Sequence, residues 1–378
     1  MTSLSGLKHL VLLGLGHAHV QVLQGLADSR PAELNLTVIA PRPLALYSGM
    51  VPGFVAGHYT LEQCQIPLEG LLARSGARFI AGSAVGLDAS AQRVALANGE
   101  TVAWDWLSVN TGPVMDRERI EAAMPGARRH ALFVRPIDAF GYLWPQVASM
   151  ASQQPIHLAM IGAGAAGVEL ALSAAQALRR PGLPAGSHVS LVTGGEAPAA
   201  AYSEAVQARV QRALRRLDIS VIPETCIGLE AGAILLANGA RLVCDAPLLA
   251  VGAQAPAWLA DSGLALDDDG FVAVNTFQQS TSHPRVFAAG DVASRADAPH
   301  PRSGVHAVRA GPPLLANLRA ALQGQPLTPY QPPRRTLNLL ACGDRRAIGS
   351  WGGFSFEGRW AWHWKDRIDR RFVARYAA

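Results

Sequence analysis

One pattern occurs twice in this chain and restricts its fold more than any other feature: a short apolar run, a glycine turn, a helical stretch and a second apolar run. In the first copy, residues 9–13 lead into Gly14-Leu15-Gly16-His17-Ala18-His19, residues 20–26 follow at helical spacing, and residues 34–39 return as a strand. The second copy places residues 156–161 before Gly162-Ala163-Gly164-Ala165-Ala166-Gly167, then an Ala-rich helix over 168–178 and a strand over 188–192. Each copy continues into alternating segments, 77–88 and 93–100 in the first, 219–223 and 233–240 in the second. Each set closes on an apolar strand and a glycine, at Gly112 and Gly252. This order predicts an internal duplication with two βαβ units, hence an α/β fold with two nucleotide sites. A length of 378 residues accommodates two such units and an appendage.

Glycines at a strand-to-helix turn let the backbone approach a pyrophosphate, which then meets the unpaired N–H groups of the helix N-terminus. Gly14, Gly16, His17 and Ala18 form such a loop, although His19 stands where a third glycine is usual. A tight turn in any doubly wound sheet accounts for that loop as well. The second loop has all three glycines, Gly162, Gly164 and Gly167, and Glu169 follows on what reads as the first helical turn. There an acid is also favoured by the helix dipole alone. The acidic residue that normally binds an adenosine ribose is missing beside Arg42 in the first unit, and Glu196 comes late in the second. NADH is favoured over NADPH, and the choice stays open.

Far downstream, residues 280–292 form an apolar strand ending in Gly290-Asp291. With both glycine loops and the turns Asn110-Thr111-Gly112 and Ala250-Val251-Gly252, this resembles the pyridine nucleotide-disulfide oxidoreductase superfamily over residues 8–322. Within it the chain is most similar to the type II NADH dehydrogenase-like branch, particularly the flavoprotein domain fused to selenide, water dikinase. Residues 16–23, 47–54, 304–309 and 364–372 carry that closer match.

The resemblance implies two Rossmann-like domains, an FAD domain over 1–115 and 255–330 with an NAD(P) domain over 116–254 inserted in it, and a C-terminal interface segment over 331–378. It implies that Gly14, Gly16, His17, Ala18, Arg42, Ser48, Val85, Asn110, Thr111, Gly112, Gly290 and Asp291 bind FAD, and that Gly162, Gly164 and Gly167 bind NAD(P)H. Glu169 is the candidate for fixing the nicotinamide or relaying a proton. His306, at the start of the helix after Gly290-Asp291, is the candidate for stabilising negative charge on the flavin. Hydride passes directly between stacked rings, so positioning groups matter more than reactive side chains.

Several chemistries are disfavoured. Disulfide reductases of this superfamily carry two cysteines four residues apart near residues 47–54, where this chain has none. Cys64 stands alone and reads as a packing residue, and Cys226, Cys244 and Cys342 show no metal-binding spacing. His17 and His19 lack further ligands, so no metal is expected. A net charge of +5 without a nucleic-acid-binding motif argues against DNA or RNA. No apolar run approaches the roughly 20 residues needed to cross a bilayer, which leads us to expect a cytoplasmic protein, peripheral to the inner membrane face at most. Arginines concentrate near the end of the chain, where Trp364, Ile368, Phe372 and Tyr376 recur at i+4 spacing. That stripe either lies in a membrane interface, packs over the flavin, or meets a second copy of the chain. The sequence thus points to an FAD enzyme that oxidises NAD(P)H and reduces a small-molecule acceptor, a quinone or a sulfur or selenium species. A protein electron acceptor docked on the basic cluster, and a flavin-bearing sensor with a degraded nicotinamide site, remain open.

Overall fold

The computed structural model describes residues 7–377. Its framework is two five-stranded parallel sheets. In the first, the strands run in the order Val286–Ala288, Trp106–Val109, Lys8–Leu13, Leu34–Ala40 and Arg78–Ala81. The second orders Leu132–Phe133, Ala246–Leu249, His157–Ile161, His188–Val192 and Ser220–Ile222. Parallel strands are covered on both faces, which explains their unbroken apolar runs; Leu10, Val11 and Leu12 are wholly buried in succession. Register brings the carboxyl ends together: Leu13 pairs with Ile39 and Val109, and Val109 with Ala288. Ligands bind at that edge in open α/β sheets, and the glycine loops lie there.

Each sheet carries a three-stranded antiparallel meander, Ala84–Asp88 with Arg93–Leu96 and Thr101–Ala103 in the first half, Cys226–Glu230 with Ala233–Leu236 and Arg241–Val243 in the second. The duplication extends to a register irregularity in the first strand of each, between Ala84 and Gly86 and between Cys226 and Gly228. Residues 77–88 do not form one meander strand as the alternation suggests. Arg78–Ala81 joins the parallel sheet beside Leu34–Ala40, because a half-covered edge strand alternates like a meander strand.

Residues 113–135, which carry no sequence motif, contain the helices Arg117–Ala123 and Ala127–His130. The Asp116 carboxylate caps the first of them by accepting from the amides of Glu118 and Arg119. The two passages between the sheets also pair with each other, through reciprocal Val114 and Gln254 backbone bonds of 2.8 and 2.9 Å.

The chain closes with an antiparallel sheet, Leu337–Ala341, Ala347–Trp351 and Phe354–Gly358, and the helix Arg359–Tyr376. This helix buries Ala361, Trp362, Lys365, Asp369, Val373 and Tyr376, which differs from the expected aromatic stripe. Trp364 and Ile368 are exposed, whereas Phe372 stacks on Tyr47 at 4.6 Å. At about 100° per residue a strict i+4 row drifts roughly 40° per step, so Trp364 and Tyr376 lie about 120° apart around the helix. Mixed steps of three and four, as in 362, 365, 369, 373 and 376, stay on one face.

Candidate functional site

Asn110 is the knot of the first glycine loop. Its Oδ1 accepts from the His19 amide at 3.0 Å and its Nδ2 donates to the Ala289 carbonyl at 2.5 Å. A Cβ on Gly14 would stand 2.7 Å from the Asn110 carbonyl, on Gly16 2.4 Å from Oδ1, and on Gly290 2.7 Å from Nδ2. Glycine is therefore required in both motifs by their close approach to one buried residue, to its backbone at Gly14 and to its side-chain amide at Gly16 and Gly290, reinforced at Gly14 by its φ of +88°. The replacement of the third glycine has a local explanation. The buried His19 ring hydrogen-bonds the Gly14 carbonyl at 2.6 Å and Ser108 Oγ at 2.8 Å, and burial pushes its pKa down to about 4. Both ring nitrogens are thus engaged in fastening the loop. Among the described residues no group of three or more His, Cys, Asp or Glu side chains could hold a metal ion.

Beside this loop, Ser48 Oγ lies 3.4 Å from His17 Nε2, and a Cβ on Gly304 would stand 3.5 Å from the same hydroxyl. The N-terminal end of the helix Gly304–Gln323 therefore converges with the first glycine loop and the 47–50 turn. Burial raises the Asp291 carboxyl above its ordinary range, opposed by Arg135, Arg302 and His300. Arg135 also acts on His17, whose pKa falls to about 4 chiefly through burial. Sequence reasoning missed Arg135 because it ends a stretch with no motif.

His306 is 6% exposed, its ring is tilted against that of His300 at 4.5 Å, and its Nδ1 has no hydrogen-bond partner. Burial first, then His300, lowers its pKa to about 4. It is neutral at physiological pH, so the positive end of its helix, and not an imidazolium, is the local source of anion stabilisation. An orphaned buried nitrogen at a helix N-terminus, beside a buried acid and a glycine loop, suits a polar cofactor with many acceptors. The other expected FAD contacts are more peripheral. Arg42 is exposed over the Tyr142 ring at 4.6 Å, the Val85 side chain is exposed, and Thr111 Oγ1 donates to the Gly112 carbonyl at 3.3 Å.

The second loop packs more tightly at its ends and opens in its middle. A Cβ on Gly162, where φ is +112°, would stand 2.5 Å from the Ala250 carbonyl, and one on Gly167 1.9 Å from the Gly162 carbonyl. A Cβ on Gly164 would meet nothing within 4 Å, which leaves the N-terminus of the helix Ala165–Leu178 accessible to a phosphate.

Glu169 is the fifth residue of this helix, so it sits on the second turn and not the first. It points inward, unlike a solvated acid: its carboxylate accepts the Ala341 N–H at 2.7 Å. Burial raises its pKa to about 7, with Lys365 and the Ala341 amide pulling it down and Asp369 pushing it up. Lys365 Nζ donates to the Gly49 carbonyl and to Asp369 Oδ2, both at 2.6 Å, and the Tyr47 hydroxyl bonds to Asp369. The closing helix thereby delivers an ion pair to the 47–50 turn, beside Glu169. An i,i+4 Lys–Asp spacing was visible in the sequence, yet the aromatic stripe drew attention to the wrong face.

All four cysteines are free and buried. Cys64 Sγ points to the Thr60 carbonyl at 3.4 Å and burial pushes its pKa up to about 12, which leaves it a thiol suited to packing.

The geometry is that of a protein with two dinucleotide sites, each at the carboxyl edge of its own parallel sheet. Residues 8–311 match the pyridine nucleotide-disulphide oxidoreductase family, and the chain belongs to it. Its cofactor is FAD. Sulfide-quinone reductase of Aquifex aeolicus is 29% identical over 106 residues, 28% of this chain and 24% of that protein. NADH dehydrogenase-like protein Rv1812c of Mycobacterium tuberculosis is 25% identical over 244 residues, 62% of this chain and 60% of that one. Demethylphylloquinone reductase NdbB of a Synechocystis species is 26% identical over 77% of this chain and 73% of its own length. The crystal structure of the Aquifex aeolicus sulfide:quinone oxidoreductase superposes with a TM-score of 0.80 at 19% identity, covering 98% of this chain and 91% of the other. The Plasmodium falciparum NDH2 structure gives 0.76 at 12% identity, covering 98% and 99%. These two likenesses concern the fold. Among the described residues no helix is long and apolar enough to cross a membrane.

Proposed function

We propose that the chain is an FAD-dependent NAD(P)H oxidoreductase that reduces a quinone. The observation that carries this reading is the half-buried acid Glu169, with a pKa of about 7, under the influence of the Lys365 ammonium and beside a Cys342 that burial keeps a thiol. In the overall reaction NAD(P)H, a proton and a quinone yield NAD(P)+ and a quinol, so the site must supply one proton beyond the hydride. A carboxylic acid that titrates near neutrality is matched to that task. FAD, when bound, supplies the two-electron relay between nicotinamide and acceptor.

In this reading Gly14, Gly16, His17 and Ala18 hold the FAD pyrophosphate, with Asn110, Thr111, Gly112, Gly290 and Asp291 along its length, Ser48 and the His306 helix at the flavin, and Arg42 and Val85 toward the adenosine. Gly162, Gly164 and Gly167 hold NAD(P)H. The FAD domain comprises 1–115 and 255–330, the NAD(P) domain 116–254. Quinone chemistry agrees with the names of the Aquifex and Synechocystis relatives. The resemblance to the domain fused to selenide, water dikinase makes a sulfur or selenium species the second candidate. Anaerobic addition of NADH, then NADPH, to the yellow holoprotein is expected to bleach the visible flavin absorbance, and menadione to restore it. Absence of bleaching by either nucleotide sinks the reading, and reoxidation by polysulfide or selenite but not menadione replaces the acceptor.

The C-terminal segment suits attachment to the surface of a membrane. Trp351, Phe354, Trp360, Trp364 and Ile368 are all exposed, Phe356, Trp360 and Trp364 form a stacked row, and Arg359, Arg367 and Arg371 are exposed beside them. Interfacial aromatics with flanking cations suit an anionic bilayer. Co-sedimentation with phosphatidylglycerol vesicles is expected, with about a tenfold loss of binding in the Trp360→Ser, Trp364→Ser double variant. Equal binding by both proteins would remove this surface from consideration.

A further inference from the structure

Asp369 is a buried carboxylate, nowhere exposed enough to be a surface charge, and two side chains share it, Lys365 from its own helix and Tyr47 from the 47–50 turn. Lys365 Nζ is 2.6 Å from its Oδ2, the Tyr47 hydroxyl bonds to it, and a Cβ built on Gly49 would lie 3.3 Å from its Oδ1. Lys365 is held at a fixed point by its second bond, 2.6 Å to the Gly49 carbonyl. Phe372, one turn along on the same helix, stacks on Tyr47 and locks the ring that donates to Asp369. We propose that Asp369 is a positioning residue for acceptor reduction: it fixes the Lys365 ammonium on the 47–50 turn and opposes the pull of that charge on Glu169. The inference rests on the oxidoreductase reading above.

The groups that act on Glu169 come from the closing helix and the last sheet. Lys365 and Asp369 face it from the closing helix, and the Ala341 N–H from the last sheet; Tyr202 and Cys342 are protonated neighbours with raised pKa values. Only Lys365 and Asp369 carry charge at neutral pH, and they act in opposite directions. With a neutral amide at position 369, the repulsion from that residue is gone while the attraction of the Lys365 ammonium remains. The change favours the ionised Glu169, so it loses its proton at lower pH.

The test is the pH profile of menadione reduction by the NADH-reduced holoenzyme. The wild type is expected to slow as pH rises through about 7. Asp369→Asn is expected to move that limb to lower pH by about one unit, and Asp369→Glu to return it toward the wild-type position. Tyr47→Phe leaves Lys365 as the remaining side-chain partner of Asp369, withdraws the ammonium from Glu169, and moves the limb to higher pH. If Asp369→Asn fails to fold with FAD, the opposite shift in Tyr47→Phe decides alone. A limb that stays in place in the variants that fold, or a rate that falls by one factor at every pH, overturns the proposal. Wild-type protein bleached by neither NADH nor NADPH overturns the oxidoreductase reading itself, and is distinguished by appearing without any substitution.

Discussion

Lys365→Met is expected to lower the stability of the protein by about 3–5 kcal/mol at neutral pH, measured by urea unfolding of the FAD-loaded chain. The side chains of Lys365 and Asp369 are 11% and 7% exposed, so their pairing is little screened by water. Methionine matches the length of the lysine stem but leaves Asp369 as a buried carboxylate with only its hydroxyl partner, and removes the donor from the Gly49 carbonyl. The cost arises from the charge left behind, not from the pair's own attraction, because desolvating two ions consumes most of what their attraction supplies. A second variant separates the two. Replacing both residues, Lys365→Met with Asp369→Leu, removes both ions and is expected to recover most of the lost stability. A double variant as unstable as the single one would show that shape, and not unpaired charge, governs this part of the closing helix.

The two dinucleotide folds were legible because local rules specify them. A glycine turn between a strand and a helix is recognisable in a window of about 30 residues, and Gly162, Gly164 and Gly167 stand where that turn needs them. Gly14, Gly16 and Gly290 were also recognisable, but their common dependence on Asn110 was not, since it joins residues separated along the chain through one side-chain amide. The acceptor side was legible only in part. Glu169 followed from its distance to the loop, whereas Tyr47, Gly49, Lys365 and Asp369 meet only when the closing helix docks on the first domain. No periodicity reports such a meeting. The aromatic residues do not share a single face because a strict i+4 row drifts around the helix. Here a lysine and an aspartate are buried while Trp360, Trp364 and Ile368 face outward. Buried charge of this kind belongs to function more readily than to packing, which is why rules built on packing miss it.

Glu169→Gln is expected to slow quinone reduction by about 10²-fold at pH 6.5 while making the protein more resistant to unfolding at pH 8. Both effects follow from one property of the carboxyl. Its pKa stands at about 7 in the folded protein against an ordinary 4.5, chiefly because burial disfavours its ionised form. For a group raised on folding, the stability contributed by the protonated form is fully present below about 4.5 and is lost as pH rises through about 7. Above that range the native state holds a partly buried carboxylate, a cost that glutamine avoids while its side-chain oxygen still accepts the Ala341 N–H. Activity depends on the same proton in the opposite sense. Below pH 7 the acid is protonated and can supply the proton a quinone needs; glutamine has none to give, so the variant's rate should be low and nearly independent of pH across this range. Stopped-flow reoxidation with menadione from pH 5.5 to 8.5, alongside urea titrations at both extremes, measures the two together. A variant slower and also less stable at pH 8 would mean that Glu169 is a structural acid whose loss disturbs the strand Leu337–Ala341. A variant of wild-type rate would assign the proton to another group.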